Sequence, residues 1–285
     1  MKFKFDHDYH IHSYLSTCSD DPEQSPARIL KYALETGLSE ICITDHYWDG
    51  AVPGASDWYK PQDFEHISRV KPLPEAEGVK FLFGCETDMD KLLTVGIPKE
   101  RFSDFDFVII PTTHLHMTDF TITKEDAESN EARARLWVRR LDALLGMPLP
   151  FEKIGIAHLA CGLIDQRSRQ DYLDTLSLIP DGDMNRLFKK AASVGAGIEL
   201  NLSDMTFRDG EEDFVLRPFR IAKACGCKFY LGSDAHHPKS FERCRPIFER
   251  AIDMLDLSED DRFYIGNVKS TQSNKICLDK IVGEK

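Results

Sequence analysis

Paired cysteines, an excess of basic charge and long apolar runs are all missing from this 285-residue chain. Its eight cysteines include no Cys-x-x-Cys pair. Cys42, Cys85 and Cys161 sit in or beside apolar runs, where a free thiol behaves as a small hydrophobe, and Cys225-Gly226-Cys227 reads as a helix end running into a strand. A disulfide framework is therefore not expected, and a reducing cytoplasm is the expected location. No stretch approaches about 18 consecutive apolar residues, and the N-terminus has no apolar signal core, so neither a membrane span nor secretion is expected. Basic residues number 36 against 48 acidic ones, for a net charge of −12. Such a surface repels a phosphate backbone on average, which disfavours nucleic acid and anionic membrane as partners. A small anionic substrate stays open, because metal ions reverse the field locally. There is no internal repeat, low-complexity run or linker, so residues 1–285 are expected to form a single domain.

What is present is a steady alternation of strand-like and helix-like segments. Residues 6–12 alternate weakly. Ser25-Pro26 then supplies a cap and a first-turn proline for a helix whose apolar face is Ile29, Leu30, Ala33 and Leu34, with Gly37 as its stop. Strands are predicted at 40–44, 79–86, 105–110, 153–157, 197–201 and 228–232. Helices are predicted near 124–144, 183–194, 212–225 and 240–254. Near-continuous apolar strands separated by helices imply a parallel sheet. About seven such units point to an α/β fold of the closed or distorted (β/α) barrel kind. The Pro-, Asp- and Trp-containing segment 49–77 reads as a long loop on the face where barrels build their sites.

Eight of the ten histidines lie at the C-terminal ends of these strands or just beyond. His10 and His12 end the first strand, with side chains two apart on one face. His46 ends the second, Glu86 the third, His114 and His116 follow the fourth, His158 ends the fifth, and Asp234 and His236 end the seventh. A parallel barrel opens all of these ends on one face. Histidines mixed with carboxylates, and at most one thiolate, suit first-row divalent cations such as Zn, Mn or Fe. The ligands are too many for one ion, so two or three ions sharing a carboxylate, Glu86 or Asp234, are expected.

The motifs His10-Ile11-His12, Thr44-Asp45-His46, Gly84-Cys85-Glu86, Thr113-His114, Ala157-His158 and Gly232-Ser233-Asp234-Ala235-His236 resemble, in order, those of the PHP (polymerase and histidinol phosphatase) family. The resemblance runs over about residues 6–240. It implies a distorted seven-stranded (β/α) TIM-like barrel with a trinuclear metal cluster. It further implies that His10, His12, Glu86 and Asp234 hold one ion. Glu86 would bridge to a second ion on His114 and His158, and His46 and His236 would take a third. The third ion expects a ligand from the loop after the first strand. The equivalent spacing here reaches Cys18, with Asp20 and Asp21 as alternatives. The implied activity is hydrolysis of a phosphomonoester by a metal-bridging hydroxide, with Glu86, Asp234 and His236 as the catalytic group. The implied substrate is a small phosphorylated metabolite of the histidinol-phosphate type. Nucleotides or nucleic-acid ends are the alternative substrates, and a non-catalytic metal-stabilised module or a metal-dependent amidohydrolase is the alternative class.

Other residues near these motifs are candidates of a second rank. Asp8 and Asp45 adjoin ligand histidines and are candidates for orienting the imidazoles. His116 and His237 are candidates for substrate contact or proton donation, and Glu199 and Asn201 for lining the pocket. Arg167, Arg169, Arg208 and Arg217 are candidates for a phosphate clamp, Arg167 and Arg208 first among them.

Overall fold

Short β-branched and aromatic runs bounded by capped helices produce strands that pair only in parallel. A computed structural model describes residues 1–19 and 21–266. In chain order the elements are β1 (His7–Ile11), α1 (Pro26–Thr36), β2 (Glu40–Ile43), β3 (His46–Tyr47), α2 (Phe64–Ser68), β4 (Lys80–Thr87), β5 (Phe107–Pro111), α3 (Lys124–Ala127) and α4 (Asn130–Gly146). They continue with β6 (Ile154–Ala157), α5 (Arg169–Leu178), α6 (Asp181–Val194), β7 (Gly197–Asn201), α7 (Glu212–Val215), α8 (Arg217–Ala224), β8 (Lys228–Gly232) and α9 (Phe241–Met254). The strand order is β1-β2-β4-β5-β6-β7-β8, with the two-residue β3 paired to β4. This is the expected distorted TIM-like barrel.

The distortion is concentrated at the β1–β8 seam. Near the top, Asp234 N donates to His10 O at 2.6 Å and His12 N donates to Ala235 O at 3.2 Å. Lower down, side chains take the place of ladder bonds: Leu231 N donates to His7 Nε2 at 3.1 Å and Ser233 N to Asp8 Oδ1 at 2.9 Å. A register irregularity between Asp8 and Ile11 accompanies this. Tyr9 joins the cluster filling the barrel with Cys42, Leu82, Phe107, Ile109, Ala157, Tyr230 and Phe263, while the neighbouring His10 ring meets the carboxylates of Glu86, Glu199 and Asp234. The apolar plug closes the barrel below the strand ends, and the larger core packs between sheet and helices. Gly155 is needed in that plug, since a Cβ there would lie 2.3 Å from the Tyr230 hydroxyl.

Two helical expectations are refined, and two helices are added. The helix predicted over 124–144 is two, because Ser129 accepts a hydrogen bond from Ala132 N and restarts the chain as a new N-cap. That over 212–225 is also two, α8 starting afresh with Pro218 in its first turn. Helices α2 and α5 were not anticipated. Each starts on a side-chain cap, Asp63 for α2 and Ser168 for α5.

Candidate metal centre

Six strand ends deliver ligand-type atoms to one buried point. His10, His12 and Glu86 are fully buried, and His46, His114 and His158 nearly so. The Nε2 atoms of His10 and His12 are 3.1 Å apart. Each also faces Glu86 Oε2, at 3.4 and 3.2 Å, and Asp234 Oδ1, at 3.4 and 3.1 Å. Ligands bonded at about 2.0–2.1 Å in a tetrahedron stand about 3.3 Å from one another. Those five separations match the edges of a tetrahedral coordination sphere. The other Glu86 oxygen, Oε1, lies 3.5 Å from His158 Nε2 and 3.9 Å from His114 Nε2. His12, His46 and His236 make a third gathering of nitrogens. His12 Nε2 is already committed to the first, which leaves the third with His46 and His236.

The orientation of four of the rings, His10, His12, His114 and His236, is set from behind. His10 Nδ1 pairs with Glu199 Oε1 at 2.5 Å. His12 Nδ1 donates to Ser16 Oγ at 2.8 Å, and that hydroxyl donates onward to Asp45 Oδ1 at 2.7 Å. His114 Nδ1 donates to Asp88 Oδ2 at 2.9 Å, and His236 Nδ1 to Asp234 O at 2.8 Å. In every case the tautomer protonated on Nδ1 turns the Nε2 lone pair inward, as metal ligation requires. Asp45 therefore acts on His12 through Ser16. Asp8, by contrast, orients no ring: its carboxylate closes the seam, accepting from Ser233 N and His10 N. Gly232 belongs to the same design, because a Cβ there would stand 2.0 Å from Glu199 Oε1.

Two tests support a cation in this place. Both Glu86 oxygens, His46 Nδ1 and Asp234 Oδ1 are buried without a hydrogen-bond partner, a costly condition unless something else satisfies them. His158 and Asp234 also hold positive φ, +60° and +51°, a strained backbone that surrounding contacts must enforce. Burial opposes charge on Glu86, but the histidines led by His46 and His10 outweigh it and hold the carboxyl well below its usual range. Asp234 is held down likewise against burial, by His10 and His236 first. Both carboxylates are thus ionised and ready to bind.

The centre opens into a cavity of about 510 Å³ lined by Cys18, His46, Trp58, Tyr59, Glu86, His114, His116, Met117, His158, Leu163, Asp234 and His236. Cys18 stands on its rim, but its thiol is absent from every close gathering of ligand atoms. Asp20 lies outside the described residues. The Asp21 carboxylate pairs instead with His237 Nε2 at 2.7 Å, so neither borders the cavity. His116 does border it; partial desolvation and then His114 push its ring down to about 4, though its edge meets solvent. That leaves it neutral at pH 7 and suited to hydrogen bonding, not to proton donation as an acid.

The arginine expectation is corrected. Arg167 is held by Asp165, Arg169 by Glu211 and Arg217 by Asp181, while Arg208 is exposed, and none lines the cavity. Arg167 lies on a loop, and Arg169 and Arg217 open α5 and α8, each turned toward an acid near in space, a pairing that spacing cannot reveal. The sequence reading also missed Asp88, Trp58 and Tyr59. Asp88 carried a usable signal, a carboxylate two residues beyond Glu86 and just past the end of β4.

The PHP domain family model matches residues 8–174. A probable phosphatase of Thermoanaerobacter sp. (strain X514) is 27% identical over 231 residues, 78% of this chain and 75% of that protein. The histidinol-phosphatase of Lactococcus lactis subsp. lactis is 34% identical over 106 residues, 36% of this chain and 37% of that one. Among solved structures, histidinol phosphate phosphatase from Lactococcus lactis, complexed with zinc, L-histidinol and phosphate, superposes with a TM-score of 0.58 at 22% identity. It covers 86% of this chain and 93% of that one.

Proposed function

The chain belongs to the PHP domain family and is a metal-dependent phosphatase by class; from that premise we propose that it hydrolyses a small phosphomonoester of the histidinol-phosphate type. The observation that carries this reading is the buried tetrahedron of His10, His12, Glu86 and Asp234, sharing Glu86 with His114 and His158. These residues would hold two divalent first-row ions, with His46 and His236 as a partial third site. When bound, such ions neutralise phosphate charge and lower the pKa of water enough to supply a nucleophile at neutral pH.

The chain's own residues do the rest. Glu86 divides its two oxygens between adjacent ligand groups and so fixes their separation. Asp234 spans the same two groups, Oδ1 toward His12 and Oδ2 toward His158 at 3.6 Å. Glu199, Ser16 with Asp45, and Asp88 hold the imidazoles in one tautomer, so no ring must reorient during turnover. With the third site empty, His236 would turn Nε2 toward the leaving oxygen, its Nδ1 held by Asp234 O. His116 hydrogen-bonds the substrate at the mouth. No lysine or arginine lines the cavity, so the negative phosphate must be met by the bound cations.

The acidic surface supports a small metabolite over a nucleic-acid end. The seven described cysteines are all free thiols, which supports a reducing, cytoplasmic setting, and no described helix is long and apolar enough to cross a membrane. We take the whole chain, 1–285, as one catalytic unit. A panel of histidinol phosphate, nucleoside monophosphates and short oligonucleotides, run beside metal analysis, tests the reading. Metal-dependent turnover highest on histidinol phosphate is expected. Preference for oligonucleotide ends would overturn the substrate class, and metal content without any turnover would point to a non-catalytic module.

A further inference from the structure

The cavity above the metal centre has two unlike sides. Part of the lining is the ligand cluster with Cys18 and His116; the rest is Trp58, Tyr59, Met117 and Leu163. We infer that these four residues form a subsite for the organic part of the substrate, selecting phosphomonoesters whose alcohol carries an aromatic or heteroaromatic ring. Esters of polyols, or those bearing a second phosphate, are disfavoured. The inference rests on the phosphatase reading above and deepens it.

The aromatic side starts at the metal centre itself. The Trp58 ring stands edge-on to His46, with centroids 4.9 Å apart at 69°. A group attached to a phosphate at the cluster therefore reaches Trp58 directly. The side is also rigid before any substrate arrives. Tyr59 is fully buried, packs perpendicular to Trp58 at 4.7 Å, and is backed by Trp48 and Phe120 at 5.7 and 5.5 Å. Gln62 ties the segment down, its side-chain amide donating to Trp58 O at 3.1 Å and its Oε1 accepting from Thr17 N at 2.9 Å. Trp58 itself stays partly exposed, as do Met117 and Leu163, so their faces remain available to a ligand. Preorganised aromatic walls bind a ring at little ordering cost.

The excluded substrates follow from what such a wall cannot offer. Polyol hydroxyls pressed against Trp58 and Leu163 would lose water without gaining partners. A second phosphate would find no lysine or arginine among the lining residues. Volume does not decide the matter, since about 510 Å³ lies within the ordinary range for small-molecule sites, about 300–1,000 Å³.

The test is the ratio of kcat/KM for 2-phenylethyl phosphate over glycerol 1-phosphate, on the metal-loaded enzyme. Wild type is expected to favour the aromatic ester about tenfold or more. Trp58→Ala and, separately, Leu163→Ser are expected to lower that ratio severalfold, chiefly through KM for the aromatic ester, and Trp58→Phe to restore most of it. Equal use of the two esters by wild type, or a ratio unmoved in both Trp58→Ala and Leu163→Ser with thermal unfolding unchanged, overturns the subsite while leaving the phosphatase reading intact. Hydrolysis of neither ester by the metal-loaded enzyme overturns the subsite and the phosphatase reading together.

Discussion

His7 and His10 are fully buried on the same strand, three residues apart, yet they live in opposite worlds. His7, at the bottom of the barrel, has both nitrogens satisfied: Nδ1 by Asp6 Oδ1 at 3.0 Å and Nε2 by Leu231 N at 3.1 Å. Burial, opposed only in part by Asp6, pushes its pKa down, so it is neutral and complete. Around it Arg262 bridges Asp6 and Glu40, and Tyr9 donates to Glu40. His10, at the top, has one nitrogen held by Glu199 and the other aimed at His12 and two carboxylates. Burial opposes its protonation, but Glu199, Asp234 and Glu86 outweigh that and lift its pKa well above the usual value. The bottom histidine is satisfied by protein on both nitrogens; the top cluster leaves both Glu86 oxygens and Asp234 Oδ1 without a hydrogen-bond partner. Burial of a histidine, by itself, says nothing about function. Convergent ligand atoms, some of them buried without a partner, do.

Substitutions can break that contrast, and the largest effect is expected at the shared ligand. Glu86→Ala should remove metal and lower phosphomonoester turnover by more than about 100-fold, exceeding the usual effect of an orienting group. Metal analysis and a generic phosphatase assay on the same sample check it. Glu199→Gln and Asp88→Asn leave every ligand in place but release His10 and His114. Each should weaken metal affinity about 10–100-fold, read by chelator competition. A smaller, purely structural effect is expected below. His7→Leu leaves Leu231 N without an acceptor and should cost about 1–3 kcal/mol of stability, seen as a lower unfolding midpoint with metal content unchanged. If His7→Leu also loses metal, the separation between the two ends is wrong.

The smallest effect belongs to the outer surface. Arg169 holds Glu211 down to about 2, against an ordinary value near 4.5, with Arg169 Nε 2.9 Å from Glu211 Oε1. A carboxylate depressed in the folded state stabilises above its unfolded pKa and loses that contribution as pH falls from about 4.5 toward 2. Arg169 keeps a third of its side chain in solvent while Glu211 is nearly covered, so Glu211→Gln should cost about 1 kcal/mol at pH 7. That difference should vanish in unfolding curves recorded near pH 2.

The barrel, and the meeting of histidines and carboxylates at one end of it, could be read from the chain because both depend on local, periodic signals. Apolar runs define the strands, and a histidine or carboxylate at a strand's C-terminal end has only one face of a parallel barrel to occupy. The orienting groups were harder to see. Asp45 works through Ser16, and Glu199 reaches His10 from 189 residues away, contacts created by closure of the barrel and not by spacing. The arginines misled because charge on a loop is free to fold back onto a nearby acid, as Arg167 does on Asp165. Helix breaks at Ser129 and Pro218 were written in capping residues that helical periodicity masks. Cys18 was chosen by spacing, and the structure puts it beside the cavity while keeping its thiol out of the ligand groups.

The most direct measurement is metal stoichiometry, taken on the purified wild-type protein and on Glu86→Ala after dialysis, with phosphomonoester hydrolysis followed on the same samples. At least two divalent ions per chain in wild type, lost together with activity in the variant, is the expected result. A Glu86→Ala protein that keeps its full metal content and its rate would contradict a centre built on that carboxylate.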